Sequence, residues 1–229
     1  KYLIDNFEKE NTEYTIKTII KNINNKNTNV ILGNLNIILY GNGYIYDKLG
    51  EYTFKISPMS FYQTNHIQTE ILYNKAIELA KLKNNDIVLD LYCGIGTIGI
   101  FTSKFVKQVY GIEVVKQAIE DAKENARLNK VENIEFLCGD VEESFEKLLK
   151  DKNLKPNVIF VDPPRRGLDK TTIENILRVE PEKLIYISCN PATMVRDLKL
   201  LEEKYNIKEI QPVDTFPYTS HVACCTLLC

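Results

Sequence analysis

The sequence predicts an α/β protein built on a doubly wound parallel sheet with an antiparallel last strand, preceded by a small α+β region. Three observations carry this. From residue 87 onward, strand-length apolar runs alternate with helical stretches, the pattern of a parallel sheet with crossover helices. A glycine-rich turn follows the first of these strands, the place where such sheets bind ligands. The last two strand candidates are joined only by the short link Phe216 to Ser220, too short for a parallel crossover, so they form an antiparallel pair at one edge.

Taken in order, residues 1 to 57 are rich in Asn, Lys and Ile and read as a remnant of a larger α+β region. A helical stretch is expected near Glu8 to Lys26, then strands at Val30 to Leu32, Asn36 to Tyr40 and Tyr52 to Ile56, with Gly41-Asn42-Gly43 as a turn between strands. From Thr64 to Leu82, the spacing of Ile67, Ile71, Leu72, Ala76, Leu79 and Ala80 has the 3.6 period of an amphipathic helix.

The alternation then runs through strand Ile87 to Tyr92, a helix, strand Gln108 to Glu113, helix Val115 to Asn129 and strand Asn133 to Leu137. A short helix near Val141 to Leu149, strand Val158 to Val161, a helix near Thr171 to Leu177, strand Lys183 to Ser188 and helix Ala192 to Tyr205 follow. Strands near Ile207 to Val213 and His221 to Leu228 close the chain. Two domains are expected, 1–57 and 58–229.

Composition narrows the function. With 229 residues, 44% hydrophobic and 26% charged, the chain can bury a full core. No apolar run approaches the roughly 20 residues of a membrane span, and no secretory signal opens the chain, so a cytoplasmic protein is expected. Cys93, Cys138, Cys189, Cys224, Cys225 and Cys229 contain no CxxC pair, which suggests neither a disulfide framework nor a metal site. A formal net charge of -2 argues against holding nucleic acid by bulk electrostatics. Any such contact is local, or supplied by a basic domain upstream of Lys1.

Three motifs carry chemistry. Strand Ile87 to Leu91 runs into Tyr92-Cys93-Gly94-Ile95-Gly96-Thr97-Ile98-Gly99. Gly94 and Gly96 let a cofactor approach the backbone, and Glu113, at the end of the second strand, is placed to accept both hydroxyls of a ribose. An NAD site shares these features, so an NAD-dependent oxidoreductase stays an alternative at this point. After the fourth strand comes Asp162-Pro163-Pro164-Arg165, where prolines stiffen a loop that aims Asp162 and Arg165 into the same crevice. The fifth strand ends Ser188-Cys189-Asn190-Pro191, a thiol at the rim of the sheet just ahead of a helix start, where thiolate is favoured. The later motifs and the antiparallel ending, a hallmark of methyltransferase sheets, favour S-adenosylmethionine over NAD.

Together, Ser57-Pro58 with Ser60-Phe61-Tyr62-Gln63-Thr64-Asn65, the Asp90 to Thr97 turn, Asp162-Pro163-Pro164-Arg165-Arg166-Gly167, Ser188-Cys189-Asn190-Pro191, and Phe216-Pro217 with Thr219 and His221 resemble the RNA uracil-5-methyltransferase family in order and spacing. The resemblance covers Ser57 to the C-terminus and implies a Rossmann-like catalytic portion that methylates C5 of a uridine in RNA, ribosomal first and transfer RNA second. It implies Cys189 as nucleophile, with Gln63, Tyr92, Glu113 and Asp162 lining the pocket for cofactor and target base. Family members usually carry an RNA-binding domain upstream.

One departure stands out. Where the family's closing strand reads His-x-Glu, with Glu as the base that removes the C5 proton, this chain reads His221-Val222-Ala223. Either another group or water takes the proton, or release is slow, or the chain is a catalytically impaired RNA-binding paralogue.

Overall fold

The computed structural model describes residues 2–10, 14–27, 31–152 and 154–229. Helix α1 (Tyr2–Glu10) opens it, followed by β1 (Thr18–Ile23), β2 (Leu35–Gly41), β3 (Ile45–Leu49) and β4 (Tyr52–Ile56). The helix expected over Glu8 to Lys26 is therefore corrected. Thr18, Ile19, Ile20 and Ile23 are β-branched, a bias toward extended backbone, and they pair antiparallel with β2. Of the strand expected at Val30 to Leu32, Ile31 and Leu32 carry none, and Val30 lies outside the described residues. Gly41 and Gly43, at φ +74° and +79°, turn the chain as expected, but between two separate ribbons rather than within one hairpin. β3 pairs with β4 and not with β2.

Next come α2 (His66–Ala80), β5 (Ile87–Leu91), α3 (Thr97–Ser103), β6 (Gln108–Glu113), α4 (Lys116–Leu128), β7 (Ile134–Cys138) and α5 (Val141–Asp151). Then follow β8 (Val158–Val161), α6 (Lys170–Val179), β9 (Lys183–Ser188), α7 (Pro191–Leu201), β10 (Ile207–Val213) and β11 (Ala223–Leu228). The seven-stranded sheet has the order β10-β11-β9-β8-β5-β6-β7. β5 to β9 run parallel, while β11 lies antiparallel between β9 and β10, as the short closing link demands.

Both faces of this sheet are covered, which is why its central strands are continuous apolar runs. Val88, Val109, Val158, Phe160, Ile185 and Ile187 point to one face, packed with Leu72 and Ala76 of α2 and Ile98 and Phe101 of α3. Leu89, Leu91, Ile112, Ile159, Val161 and Tyr186 point to the other, packed with Phe145 of α5, Ile176 of α6 and Leu198 of α7. Leu49 and Phe54 of the β3–β4 hairpin are buried in the first of these layers.

The hairpin is docked by polar side chains of α4. Asn125 Oδ1 accepts from Lys55 N at 2.7 Å and Asn129 Oδ1 from Thr53 N at 2.9 Å, so two asparagines stand in for a neighbouring strand along β4. Asp121, fully buried, accepts from Ser57 N (3.0 Å), Ser57 Oγ (2.9 Å) and Ser60 Oγ (2.8 Å) and pairs with Lys55 Nζ at 3.4 Å. That network fixes the segment leading to Gln63. Among the described residues no helix is long and apolar enough to cross a membrane.

Candidate active site

A cleft of about 540 Å³ opens at the carboxyl ends of the parallel strands. Gln63, Tyr92, Glu113, Asp162 and Cys189 all line it. A smaller cavity continues it toward Gly94 and shares Gln63, Tyr92 and Asp162 with it. The sequence-predicted site residues thus converge from five parts of the chain.

The glycine turn is built for close approach. Tyr92, at φ +65°, turns the chain out of β5, and its hydroxyl donates to Asp169 Oδ2 at 3.1 Å across the cleft floor. Gly94 lies at φ +54°, and a Cβ added there would meet nothing within 4 Å, so open space faces its backbone. Gly96 serves differently from the sequence expectation: a Cβ there would sit 2.7 Å from Phe136 Cζ, so it is small for packing, not for a ligand. Asp90 is fully buried, its Oδ2 accepting from Gly99 N at 2.9 Å while Oδ1 has no partner among the described residues. Burial, opposed by the Gly99 N–H and reinforced by Asp162 and Glu113, pushes its pKa up to about 8.

Glu113 holds position by accepting from Gly94 N (3.2 Å) and Val115 N (2.9 Å). A carboxylate offers about four acceptor sites, so lone pairs remain for a ligand in the cleft. Asp162 makes no side-chain hydrogen bond among the described residues, and burial pushes its pKa up to about 7.

Cys189 is half-buried between β9 and α7. Asn190 Oδ1 caps α7 by accepting from Ala192 N at 3.2 Å, and Pro191 occupies the first turn, which lacks a use for its missing N–H. The Asp162 loop is tied to this one. Asn190 Nδ2 and Thr193 Oγ1 donate to Arg165 O at 3.0 and 3.1 Å, and Gly167, at φ +79°, closes a turn through its N–H to Pro164 O at 2.8 Å. Arg165 and Arg166 remain exposed at the cleft rim. Cys93, in contrast, is buried, and its thiol pKa is raised well above the ordinary value by burial.

Two features escape a sequence reading. Thr215 Oγ1 is buried at the cleft wall with no hydrogen-bond partner among the described residues, and Asp169 couples Tyr92 to the cap of α6 through Thr172 N at 2.6 Å. Tyr92 and Asp169 stand 77 residues apart, so no local pattern in the sequence signals their pairing. Among the described residues no group of three or more His, Cys, Asp or Glu side chains is placed to hold a metal ion.

The family model for tRNA (uracil-5-)-methyltransferases matches residues 36–229. An uncharacterized RNA methyltransferase of Oceanobacillus iheyensis is 48% identical over 96% of this chain and 48% of its own length. One from Staphylococcus aureus is 53% identical over 90% of this chain and 46% of its own length. The chain spans about half the length of the curated relatives it matches. Among solved structures, the Pyrococcus abyssi tRNA (uracil-54, C5)-methyltransferase in complex with S-adenosyl-L-homocysteine superposes with a TM-score of 0.76. It is 32% identical, over 94% of this chain and 52% of that one.

Proposed function

The chain belongs to the tRNA (uracil-5-)-methyltransferase family, and on that premise we propose that it methylates C5 of a uridine in RNA with S-adenosylmethionine as donor and Cys189 as covalent nucleophile. The observation that carries this reading is the convergence of Cys189, Asp162 and Glu113 on one cleft at the carboxyl ends of β9, β8 and β6.

The chain's residues fit the donor. Open space at the Gly94 backbone and spare acceptor capacity on Glu113 suit a ribose, and Gln63 and Tyr92 line both parts of the cleft. When bound, S-adenosylmethionine supplies an electrophilic methyl group. Uracil C5 is too weak a nucleophile to accept it unaided. The Cys189 thiolate adds to C6, and the ring's π electrons pass toward C5 and O4 as an enolate. Once C5 is methylated, its proton must leave so that the thiolate can be expelled and the ring restored. Because Cys189 reaches the ring from its face, the nucleotide has to leave its stack, and Phe61, 73% exposed at the cleft, offers an aromatic surface for it.

Ribosomal RNA is the proposed substrate. Transfer RNA is the second reading, favoured by the substrate of the Pyrococcus abyssi neighbour. Residues 1–57 are assigned to the end of an RNA-binding region, 58–229 to the transferase domain, and the protein to the cytoplasm. A catalytically impaired RNA-binding paralogue is the alternative that Ala223 supports. Mass analysis of ribosomal and transfer RNA from cells lacking the gene tests this: loss of 5-methyluridine from one pool names the substrate, and no loss from either sinks the reading.

A further inference from the structure

The closing strand brings no proton acceptor to the cleft. The last registered pair of β9 and β11 is Ser188 with Cys224, so one step further Ala223 stands across from Cys189, buried and lining the cleft. On the other side of β9 lies β8, whose last registered pair is Val161 with Tyr186, and Asp162 is the first residue beyond it. Neighbouring strands are about 4.8 Å apart. Continuing that register sets Asp162 level with Ile187, two residues before Cys189, and both Asp162 and Cys189 line the cleft. The thiol therefore has a methyl group directly across on one side and a carboxyl group further back along the neighbouring strand on the other.

Five carboxyl groups line the cleft. Glu113 is held by the N–H groups of Gly94 and Val115. Asp140 caps α5 by accepting from Glu142 N at 2.9 Å. Asp169 accepts from Thr172 N, Thr172 Oγ1 and Tyr92 Oη. Glu142 stands beside Asp169, whose charge raises its pKa. Asp162 and Glu142 accept no such N–H or hydroxyl hydrogen bond among the described residues; Glu142 stands on α5 beside Asp169, whereas Asp162 follows β8, the strand next to that of Cys189.

We propose that the Asp162 carboxylate takes the C5 proton from the covalent adduct, the step that frees Cys189. This rests on the uridine C5 reading above. The C5–H bond breaks and its proton passes to a carboxylate oxygen of Asp162. Its electron pair re-forms C5=C6, and the C6–Sγ bond breaks with its pair returning to Cys189 as thiolate. Asp90 on β5, Tyr73 on α2 and Cys225 on β11 are the titratable groups that feel the Asp162 charge. With its pKa near 7, Asp162 both accepts a proton and returns it to solvent near neutrality.

The test uses the full-length protein and total RNA from cells lacking the gene, labelled with tritium at uridine C5, without a methyl donor. Reversible addition of Cys189 with protonation and deprotonation at C5 then releases tritium to water. Wild type is expected to release it and Cys189→Ala is not. Asp162→Asn is expected to slow release by about 10² to 10⁴, the usual contribution of a general base. With donor and 5-fluorouridine RNA, where C5 has no proton to lose, Asp162→Asn is expected to be trapped covalently as fully as wild type. Ala223→Glu added to Asp162→Asn is expected to restore release.

Tritium release by Asp162→Asn within about threefold of wild type overturns the proposal, as does loss of fluorouridine trapping, which would place Asp162 in an earlier step. If wild type releases no tritium and methylates no uridine, the underlying reading fails and the proposal with it. Ala223→Glu alone decides the matter without perturbing Asp162. A change in release under about threefold supports the proposal, and a rise of about 10² or more overturns it by showing that wild type lacked an acceptor.

Discussion

Ser188 pairs with Cys224 at the end of the β9–β11 ladder, and the next step along both strands sets Cys189 across from Ala223. The thiol is thus held by a sheet buried on both faces and by a capped helix, not by a free loop. We expect Cys189→Ala to abolish methyl transfer and trapping by 5-fluorouridine RNA. S-adenosylmethionine affinity by calorimetry is expected to stay unchanged, because the Gly94 and Glu113 end of the cleft does not depend on this thiol. Methylation by Cys189→Ala would rule out the covalent route.

Glu113 is fixed by two backbone N–H donors and has acceptor capacity left for a ribose. Glu113→Ala is expected to weaken S-adenosylmethionine binding by about 1 to 3 kcal/mol, the range for losing hydrogen bonds to a charged group. A dissociation constant equal to wild type in calorimetry would remove Glu113 from the cofactor site.

The central strands of the sheet were legible in the sequence because they are buried on both sides. Gln108–Glu113, Val158–Val161 and Lys183–Ser188 have the limits their apolar runs predict, and so does Ile207–Val213, although that edge strand is exposed along most of its length. Gln63, Tyr92, Glu113, Asp162 and Cys189 meet because each follows a strand end or precedes a helix at the same edge of that sheet. The N-terminal ribbon was not legible. β2 has little buried surface, so no face imposes a period of two on Leu35–Gly41, and the Lys- and Asn-rich stretch before it reads equally well as a helix. Nor could sequence spacing show that Asp121, on a helix 64 residues beyond Ser57, would anchor the approach to Gln63.

Asp121 collects four partners from that approach, and removing it leaves the Ser57 N–H and hydroxyl without acceptors in a buried site. Asp121→Ala is expected to destabilise the fold by about 3 kcal/mol, the scale for breaking a buried charged network. It is also expected to weaken cofactor binding through Gln63. Urea unfolding checks the first effect and calorimetry the second; a loss below about 1 kcal/mol would mean the hairpin is held by Asn125, Asn129 and the packing of Leu49 and Phe54 without need of Asp121.

The last prediction concerns pH. Burial raises Asp90 to about 8, an effect opposed by the Gly99 N–H and reinforced by Asp162 and Glu113, and burial raises Asp162 to about 7. Both folded values lie above the ordinary Asp value of about 4, so the folded state keeps protons that the unfolded chain gives up. Folding stability from these groups is then fully present below about pH 4 and declines as pH rises. Asp162 stops contributing to the decline near pH 7 and Asp90 near pH 8. Each group contributes a slope of up to about 1.4 kcal/mol per pH unit between its two pKa values. Asp90→Asn keeps an oxygen for the Gly99 N–H but has no proton to lose, so it is expected to flatten the decline and to be more stable than wild type at pH 8. Urea unfolding of both proteins at pH 5, 6.5 and 8 reads this directly. Parallel stability curves for wild type and Asp90→Asn across that range would show that Asp90 is ionised in the folded protein and that its unpartnered Oδ1 is stabilised by something other than a proton.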